Sequence, residues 1–176
     1  DDDLGKYVKQ MKSKDYVADY IDEPLWTDTS NHSDTVIITE GMPDAITVTQ
    51  YGYDAITPVT VQFKDDHKAD VARATQRYED AVIINDAEEN QAGEEGAQKM
   101  LKALDRIRPE HRASLVKKGQ LPLEEGQEKN DVEEHLRESD EAEAELQRII
   151  KEANTLFEER FEELPDDEDT VKMTNY

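Results

Sequence analysis

The chain has 176 residues, of which 44 are acidic and 21 are basic, so its formal net charge is -23 at pH 7. Such a charge argues against non-specific binding to nucleic acid or to an anionic membrane, since both need clustered lysine and arginine. The chain has no cysteine, which excludes disulfide bonds and thiolate metal sites, and no zinc site is expected.

The acidic residues are spread along the whole chain rather than gathered in one tail. At an ionic strength of about 1 M, charges are screened beyond roughly 3 Å, so this composition favours a halophilic protein adapted to molar salt. The alternative is an ordinary solvated surface. No apolar run approaches a membrane span and no signal peptide is visible, so a cytoplasmic location without membrane contact is expected. The missing initial methionine suggests a piece of a longer protein.

The first third of the chain predicts two helices and two short strands. Residues 6–21 have loosely helical apolar spacing, and a polar loop is expected from Pro24 to residue 33. Residues 35–39 (TVIIT) and 54–57 (DAIT) are short apolar runs typical of buried strands. Between them, Pro43 opens a short helix.

The middle of the chain continues the alternation. A second helix is predicted over residues 65–78, followed by a strand at 81–84 (AVII) and a weaker strand at 112–116. The helix between these two strands has a single apolar stripe, formed by Ala97, Met100, Leu101, Leu104 and Ile107. A short helix is then expected to end near Leu136.

The last part of the chain predicts one long amphipathic helix, with Ser139 as its N-cap and apolar residues as far as Phe161. We expect this helix to fold back on the domain rather than dock a neighbouring one. The predicted divisions are a helical extension and linker at 1–33, a catalytic domain at 34–138, the amphipathic helix at 139–164, and a disordered tail at 165–176.

Strands that are apolar throughout and alternate with helices indicate an α/β fold. We predict a mainly parallel, Rossmann-like sheet of about four strands flanked by helices, with helical extensions at both ends.

Two predicted strands are followed at once by acidic residues. Glu40 follows the strand at 35–39, while Asp86 and Glu88 follow the strand at 81–84. Ligands of open α/β sheets bind beyond the carboxyl ends of the strands, so these three carboxylates converge if the strands are neighbours. A cation is then needed between them, and oxygen ligands suit Mg²⁺ or Mn²⁺. The alternative is that each acid only caps the helix that follows it.

These motifs resemble the TOPRIM domain, which bacterial-type primases, topoisomerases and some nucleases share. EGMPDAI at 40–46 is similar to the EG-x-x-DA block of the primase-like branch, and KNDVEEHL at 129–136 to its late lysine–acid segment. The resemblance covers residues 35–136. NDAEENQAG at 85–93 is similar to TOPRIM proteins encoded by halophilic archaea and their mobile elements.

The resemblance implies a role for each acidic residue of the motifs. Glu40 would be the general acid or base, and Asp86 with Glu88 would hold Mg²⁺ or Mn²⁺, although Glu88 stands where the family has aspartate. Asp44 would orient Glu40 or a water, and Asp131 would add late metal or phosphate contacts. The remaining candidates are Glu89 as a substitute ligand, Gly41 and Lys129.

The implied function is metal-dependent nucleotidyl transfer by the catalytic module of a primase-like DNA replication protein. Its partners would be single-stranded nucleic acid, nucleotides and other domains of a longer protein. One alternative is a TOPRIM nuclease, in which the same metal site activates water. The other is a non-catalytic interaction module.

Two further features bear on binding. The basic residues nearest to forming a patch are Lys64, Lys68, Arg73 and Arg77, although pairing with neighbouring acids is the stronger interpretation. Trp26 is expected to pack against the domain and hold the N-terminal segment to it.

Overall fold

The structure, a computed structural model, describes residues 25–58, 65–107, 115–156 and 158. The predicted helix at 6–21 and the predicted tail at 165–176 lie outside these ranges. The strands are β1 (Leu25–Asp28), β2 (Thr35–Thr39), β3 (Asp54–Pro58), β4 (Asp80–Ile84), β5 (Ala87–Glu88), β6 (Leu115–Gly119), β7 (Lys129–Asn130) and β8 (Asn154–Thr155). The helices are α1 (Met42–Gln50), α2 (Asp65–Ala74), α3 (Ala92–Ile107), α4 (Val132–Glu138) and α5 (Ala142–Glu152).

The prediction of an α/β fold with a mainly parallel sheet flanked by helices is confirmed. Six strands pair in the order β1-β3-β2-β4-β6-β8. The four inner strands are parallel to one another, while β1 and β8 are antiparallel edges. The four inner strands are the ones that the sequence predicted. The two edges had no recognisable signal, because β8 has only two residues and β1 is half-buried.

Each face of the sheet carries its own hydrophobic cluster. Helices α2 and α3 cover one face with Val71, Ala72, Met100, Leu101 and Leu104. Helices α1, α4 and α5 cover the other with Ala45, Val48, Val132, Leu136, Leu146 and Ile149. Strand side chains alternate between the two faces, so Ile38 packs in the first cluster and Ile37 in the second.

Three predicted boundaries are wrong. The predicted loop ending at residue 33 contains β1, in which Trp26 packs against the second cluster as expected. The fourth parallel strand lies at Leu115–Gly119 rather than at 112–116. The final helix begins after Glu141 and ends at Glu152, and Ser139 is instead the C-cap of α4.

The expectation that the last helix folds back on the domain is confirmed within the described residues. Leu146 is fully buried and Ile149 is 2% exposed, both in the second cluster. A Cβ added at Gly119 would lie only 3.0 Å from the methyl carbon Cγ2 of Ile149. α5 therefore packs directly on β6.

Candidate active site

Glu40 and Asp86 follow two neighbouring strands of the sheet. β2 and β4 pair in parallel, with Thr39 opposite Ile84, so both acids leave the sheet at the same edge. From β2 the chain passes through α1 to β3 on one side, and from β4 through α3 to β6 on the other. The strand order therefore reverses between β2 and β4, which is where open α/β sheets bind their ligands.

A short ribbon places Lys129 beside Asp86. β5 pairs antiparallel with β7, which sets Glu88 opposite Lys129. The Lys129 ammonium lies 2.5 Å from Oδ2 of Asp86, whose side chain is only 12% exposed. Burial raises the pKa of the Asp86 carboxyl, and the bond to Lys129 opposes that rise. The principal partner of Asp86 in this structure is thus a lysine from a segment more than forty residues downstream.

The surroundings of Glu40 raise the pKa of its carboxyl towards neutrality. Burial is the largest effect that raises the pKa of Glu40, and the charges of Asp86 and Glu88 add to it, bringing the value from 4.5 to about 7. The carboxylate oxygen Oε2 of Glu40 is buried and has no hydrogen-bond partner. A carboxyl that titrates near neutrality can both accept and donate a proton under physiological conditions.

The carboxylate of Asp44 lies where a side chain at Gly41 would be. An added Cβ at Gly41 would lie 2.9 Å from Oδ2 of Asp44, so the glycine leaves room for that carboxylate. Oδ1 of Asp44 accepts a hydrogen bond of 3.0 Å from the backbone N–H of Glu133, which joins α1 to the start of α4. Burial, with the charges of Asp86 and Asp131, raises the pKa of Asp44 to about 7. Asp44 faces Asp86 and Asp131, and its described hydrogen bond is to α4 rather than to Glu40.

The other acidic candidates are Asp131, Glu88 and Glu89, and their surroundings differ. Asp131 is the N-cap of α4, where its Oδ1 accepts a 2.8 Å hydrogen bond from the N–H of Glu134. Its charge nevertheless raises the pKa values of Asp44 and Asp86. Glu88 is half-buried in β5 and acts on Glu40 in the same way. Glu89 lies in an exposed turn and lines the same cavity as Asp86 and Glu88.

No protein-family model matches this chain. A search of curated proteins likewise found no similar sequence. Among the described residues, no helix is long and apolar enough to cross a membrane.

The oxygen donors of this edge fit a hard divalent cation. Glu40, Asp86 and Glu88 supply carboxylates only, and Oε2 of Glu40 lacks a partner. Mg²⁺ prefers such ligands, usually one or two carboxylates with several waters. Within the described ranges, no three acidic or histidine side chains are arranged to hold a metal ion.

Two residues that the sequence motifs did not single out shape this edge. An added Cβ at Gly93 would lie 2.0 Å from the backbone oxygen of Asp86, so only glycine allows α3 to approach β4 this closely. Asn85 donates from Nδ2 to the oxygen of Gly93 over 3.2 Å, and its buried Oδ1 has no partner. The signal for Asn85 in the sequence is its position directly after the strand at 81–84, next to Asp86.

Two cavities meet at the cluster. One of about 440 Å³ is lined by residues that include Asp86, Glu88, Glu94 and Gln120. The second, of about 290 Å³, is lined by residues that include Glu40, Lys68 and Lys99. Asn85 lines both, so the end of β4 separates an acidic opening from one that is lined by two lysines and two glutamates.

Replacing Asp44 by asparagine is expected to stabilise the metal-free protein at high pH. An acid whose pKa is raised in the fold stabilises it fully below the unfolded value of 3.8, and this stability is lost as the pH rises through about 7. The amide keeps an acceptor for the N–H of Glu133 but carries no charge. Asp44→Asn should gain about 1–3 kcal/mol at pH 8 and nothing near pH 4.

Denaturant unfolding across this pH range, in about 2 M KCl with a chelator, measures the effect. The control is Asp140→Asn, which removes an exposed acid and should leave the pH profile unchanged. Equal stability of wild type and Asp44→Asn at pH 8 would show that Asp44 is not held as a buried charge.

Proposed function

We propose that this chain is a TOPRIM-like module that catalyses metal-dependent nucleotidyl transfer in a primase-like DNA replication protein. The observation that carries the proposal is the position of Glu40 and Asp86, at the ends of two adjacent parallel strands where the strand order reverses. The motif resemblance at 40–46 and 129–136 supports the same assignment.

In this proposal Asp86 and Glu88 bind the metal ion, and Glu40 transfers the proton. Asp86 and Glu88 would hold a Mg²⁺ ion, which when bound neutralises phosphate oxygens and positions the attacking hydroxyl. Glu40 takes the proton from that hydroxyl, because its pKa of about 7 leaves a large ionised fraction at neutral pH. Asp44 fixes the start of α4, and with it the ribbon segment that carries Lys129.

Calorimetric titration of Mn²⁺ into the protein in about 2 M KCl tests the metal site, since diffuse counterion binding is swamped there. We expect saturable binding that Asp86→Asn abolishes and that Asp140→Asn, an exposed change of equal charge, leaves intact. Featureless curves for all three proteins would contradict the proposal. Extension of a primed strand with nucleotides, against cleavage without them, then separates a transferase from a nuclease.

A non-catalytic interaction module is the second candidate. The observation in its favour is the Lys129–Asp86 ion pair, which satisfies Asp86 without any metal. This candidate predicts that Asp86→Asn changes neither metal binding nor the interactions of the domain.

A further inference from the structure

A row of positive charge lies on the outer face of α3. Lys99, Lys102 and Arg106 are spaced by three and four residues, so they share one side of the helix, and all three are exposed. The opposite side of α3 packs into the first core cluster through Ala97, Met100, Leu101 and Leu104. We call Lys99, Lys102 and Arg106 the α3 stripe.

The stripe is unusual because this protein has about twice as many acids as bases. Arg73, Arg137 and Arg148 each contact a carboxylate within 3 Å. Lys99 lies 3.5 Å from Glu95, whereas Lys102 and Arg106, like Lys151 on α5, make no hydrogen bond or ion pair with any residue that the structure describes. Because Lys102 and Arg106 lie on the same side of one helix, they form a place where an anionic partner can bind.

The stripe leads away from the candidate active site. Lys99 lines the same cavity of about 290 Å³ as Glu40 and Lys68. From Lys99, the stripe continues along α3 to Arg106, over roughly 10 Å at 1.5 Å per residue. The three cations therefore run along one helix from the rim of the Glu40 cavity, where Lys99 lies beside Glu95, and successive phosphates of one strand can follow them.

We propose that the α3 stripe binds the phosphates of a single-stranded nucleic acid whose end enters the Glu40 cavity. This inference rests on the proposed function, which supplies the reason for a strand end at Glu40. The weak basic patch that the sequence suggested is less available among the described residues, because Arg73 pairs with Asp70 and Arg77, which lies beyond the end of α2, is 3.7 Å from Asp54.

Fluorescence anisotropy of a labelled single strand of about 20 nucleotides, across a KCl series and with a chelator present, tests the stripe. The variant Lys99→Gln, Lys102→Gln, Arg106→Gln is compared with Arg137→Gln, Arg148→Gln, Lys151→Gln. The control removes the same charge from α4 and α5, on the opposite face. Circular dichroism checks that both variants are folded.

We expect the stripe variant to lose at least about tenfold in affinity, and its slope of log affinity against log salt to fall by about 2, at roughly 0.7 per phosphate contact. The control should bind as wild type does. Equal losses in both variants, or competition by polyglutamate as strong as by the strand, would overturn the proposal. No metal or turnover is involved, so inactive wild type that still binds through the stripe counts against the proposed function alone.

A second inference concerns Lys129. Its ammonium lies 2.5 Å from Oδ2 of Asp86, and the pairing of β5 with β7 sets it opposite Glu88. It also opposes the raised pKa values of Glu40 and Asp44. One lysine therefore supplies positive charge to the whole carboxylate cluster.

We infer that Lys129 is a tethered cation which must leave Asp86 before a divalent metal binds there. This inference also rests on the proposed function. β7, which carries Lys129, is only two residues long, and the side chain is 48% exposed, so its release breaks no core contact. Once released, the ammonium lies beside the cluster, where it can meet a phosphate that arrives with the metal.

The affinity for Mn²⁺ tests this second inference without any assay of turnover. Lys129→Gln should bind Mn²⁺ about tenfold more tightly than wild type, since a competing charge is removed. The control Lys117→Gln breaks a comparable pair, of 2.9 Å to Asp80 at the other end of the strands, and should leave the affinity unchanged. Wild-type binding with no gain in Lys129→Gln would overturn the inference alone. Absence of binding in both would overturn the inference and the proposed function together.

Discussion

Replacing Gly93 by alanine is expected to destabilise the protein by about 3 kcal/mol, because the new methyl group meets backbone rather than a movable side chain. The added Cβ would lie 2.0 Å from the oxygen and 3.0 Å from the carbonyl carbon of Asp86. A local shift of the backbone after β4, or of the first turn of α3, cannot by itself relieve this contact. Relief requires moving α3 off the sheet or moving Asp86 out of the cluster, so the affinity for Mn²⁺ should fall as well.

Gly96→Ala is the matched control, three residues further along the same helix. Its Cβ would lie 3.2 Å from Nδ2 of Asn85, the end of a side chain that can shift by a few tenths of an ångström. Alanine also favours the helix over glycine by about 1 kcal/mol, so Gly96→Ala should change stability by less than about 1 kcal/mol. Urea unfolding in molar KCl measures both variants. A Gly93→Ala protein as stable as wild type would contradict the close approach.

The sequence predicted what depends on local patterns. The four inner strands and the acids that follow β2 and β4 were all visible, because a buried strand that stops at a carboxylate combines two strong signals. From the sequence, the carboxylates were expected to converge only if the two strands were neighbours. The structure shows that β2 and β4 are neighbours. A run of apolar residues identifies a strand but not its neighbour.

The boundary of β6 could not be predicted, because two lysines lie within it. Lys117 pairs with Asp80, and Lys118, only 8% exposed, pairs with Glu94 on α3. Both partners are distant in sequence, so the segment looks too polar for an inner strand. The same holds for Lys129, whose partner Asp86 lies between β4 and β5, and for Gly93, whose need for glycine comes from the backbone of Asp86. Interactions of this kind are tertiary and leave no periodic signal.

Glu40→Gln is expected to lower the rate of nucleotidyl transfer by a factor of about 10² to 10⁴, the usual contribution of a positioned acid or base. Glutamine has the same shape, so the fold and the contacts of the strand end are kept. The wild-type rate should rise with pH as Glu40 ionises. The step should lie below about 7, the pKa that burial and the charges of Asp86 and Glu88 give Glu40 without metal, because a bound cation offsets those charges. The variant should lack this step in its pH profile.

Single-turnover extension of a labelled primer at saturating Mn²⁺, from about pH 5.5 to 8.5, separates this role from a structural one. A residue that only shapes the site would lower the rate equally at every pH. Glu138→Gln, an exposed change at the end of α4, is the control and should keep the wild-type rate and profile. The removal of one carboxylate should leave Asp86 and Glu88 able to bind Mn²⁺, so calorimetry of Glu40→Gln should still show saturable binding. An unchanged rate with unchanged metal binding would move the proton transfer from Glu40 to another group at this edge, of which Asp44, with its own pKa near 7, is the nearest in chemistry.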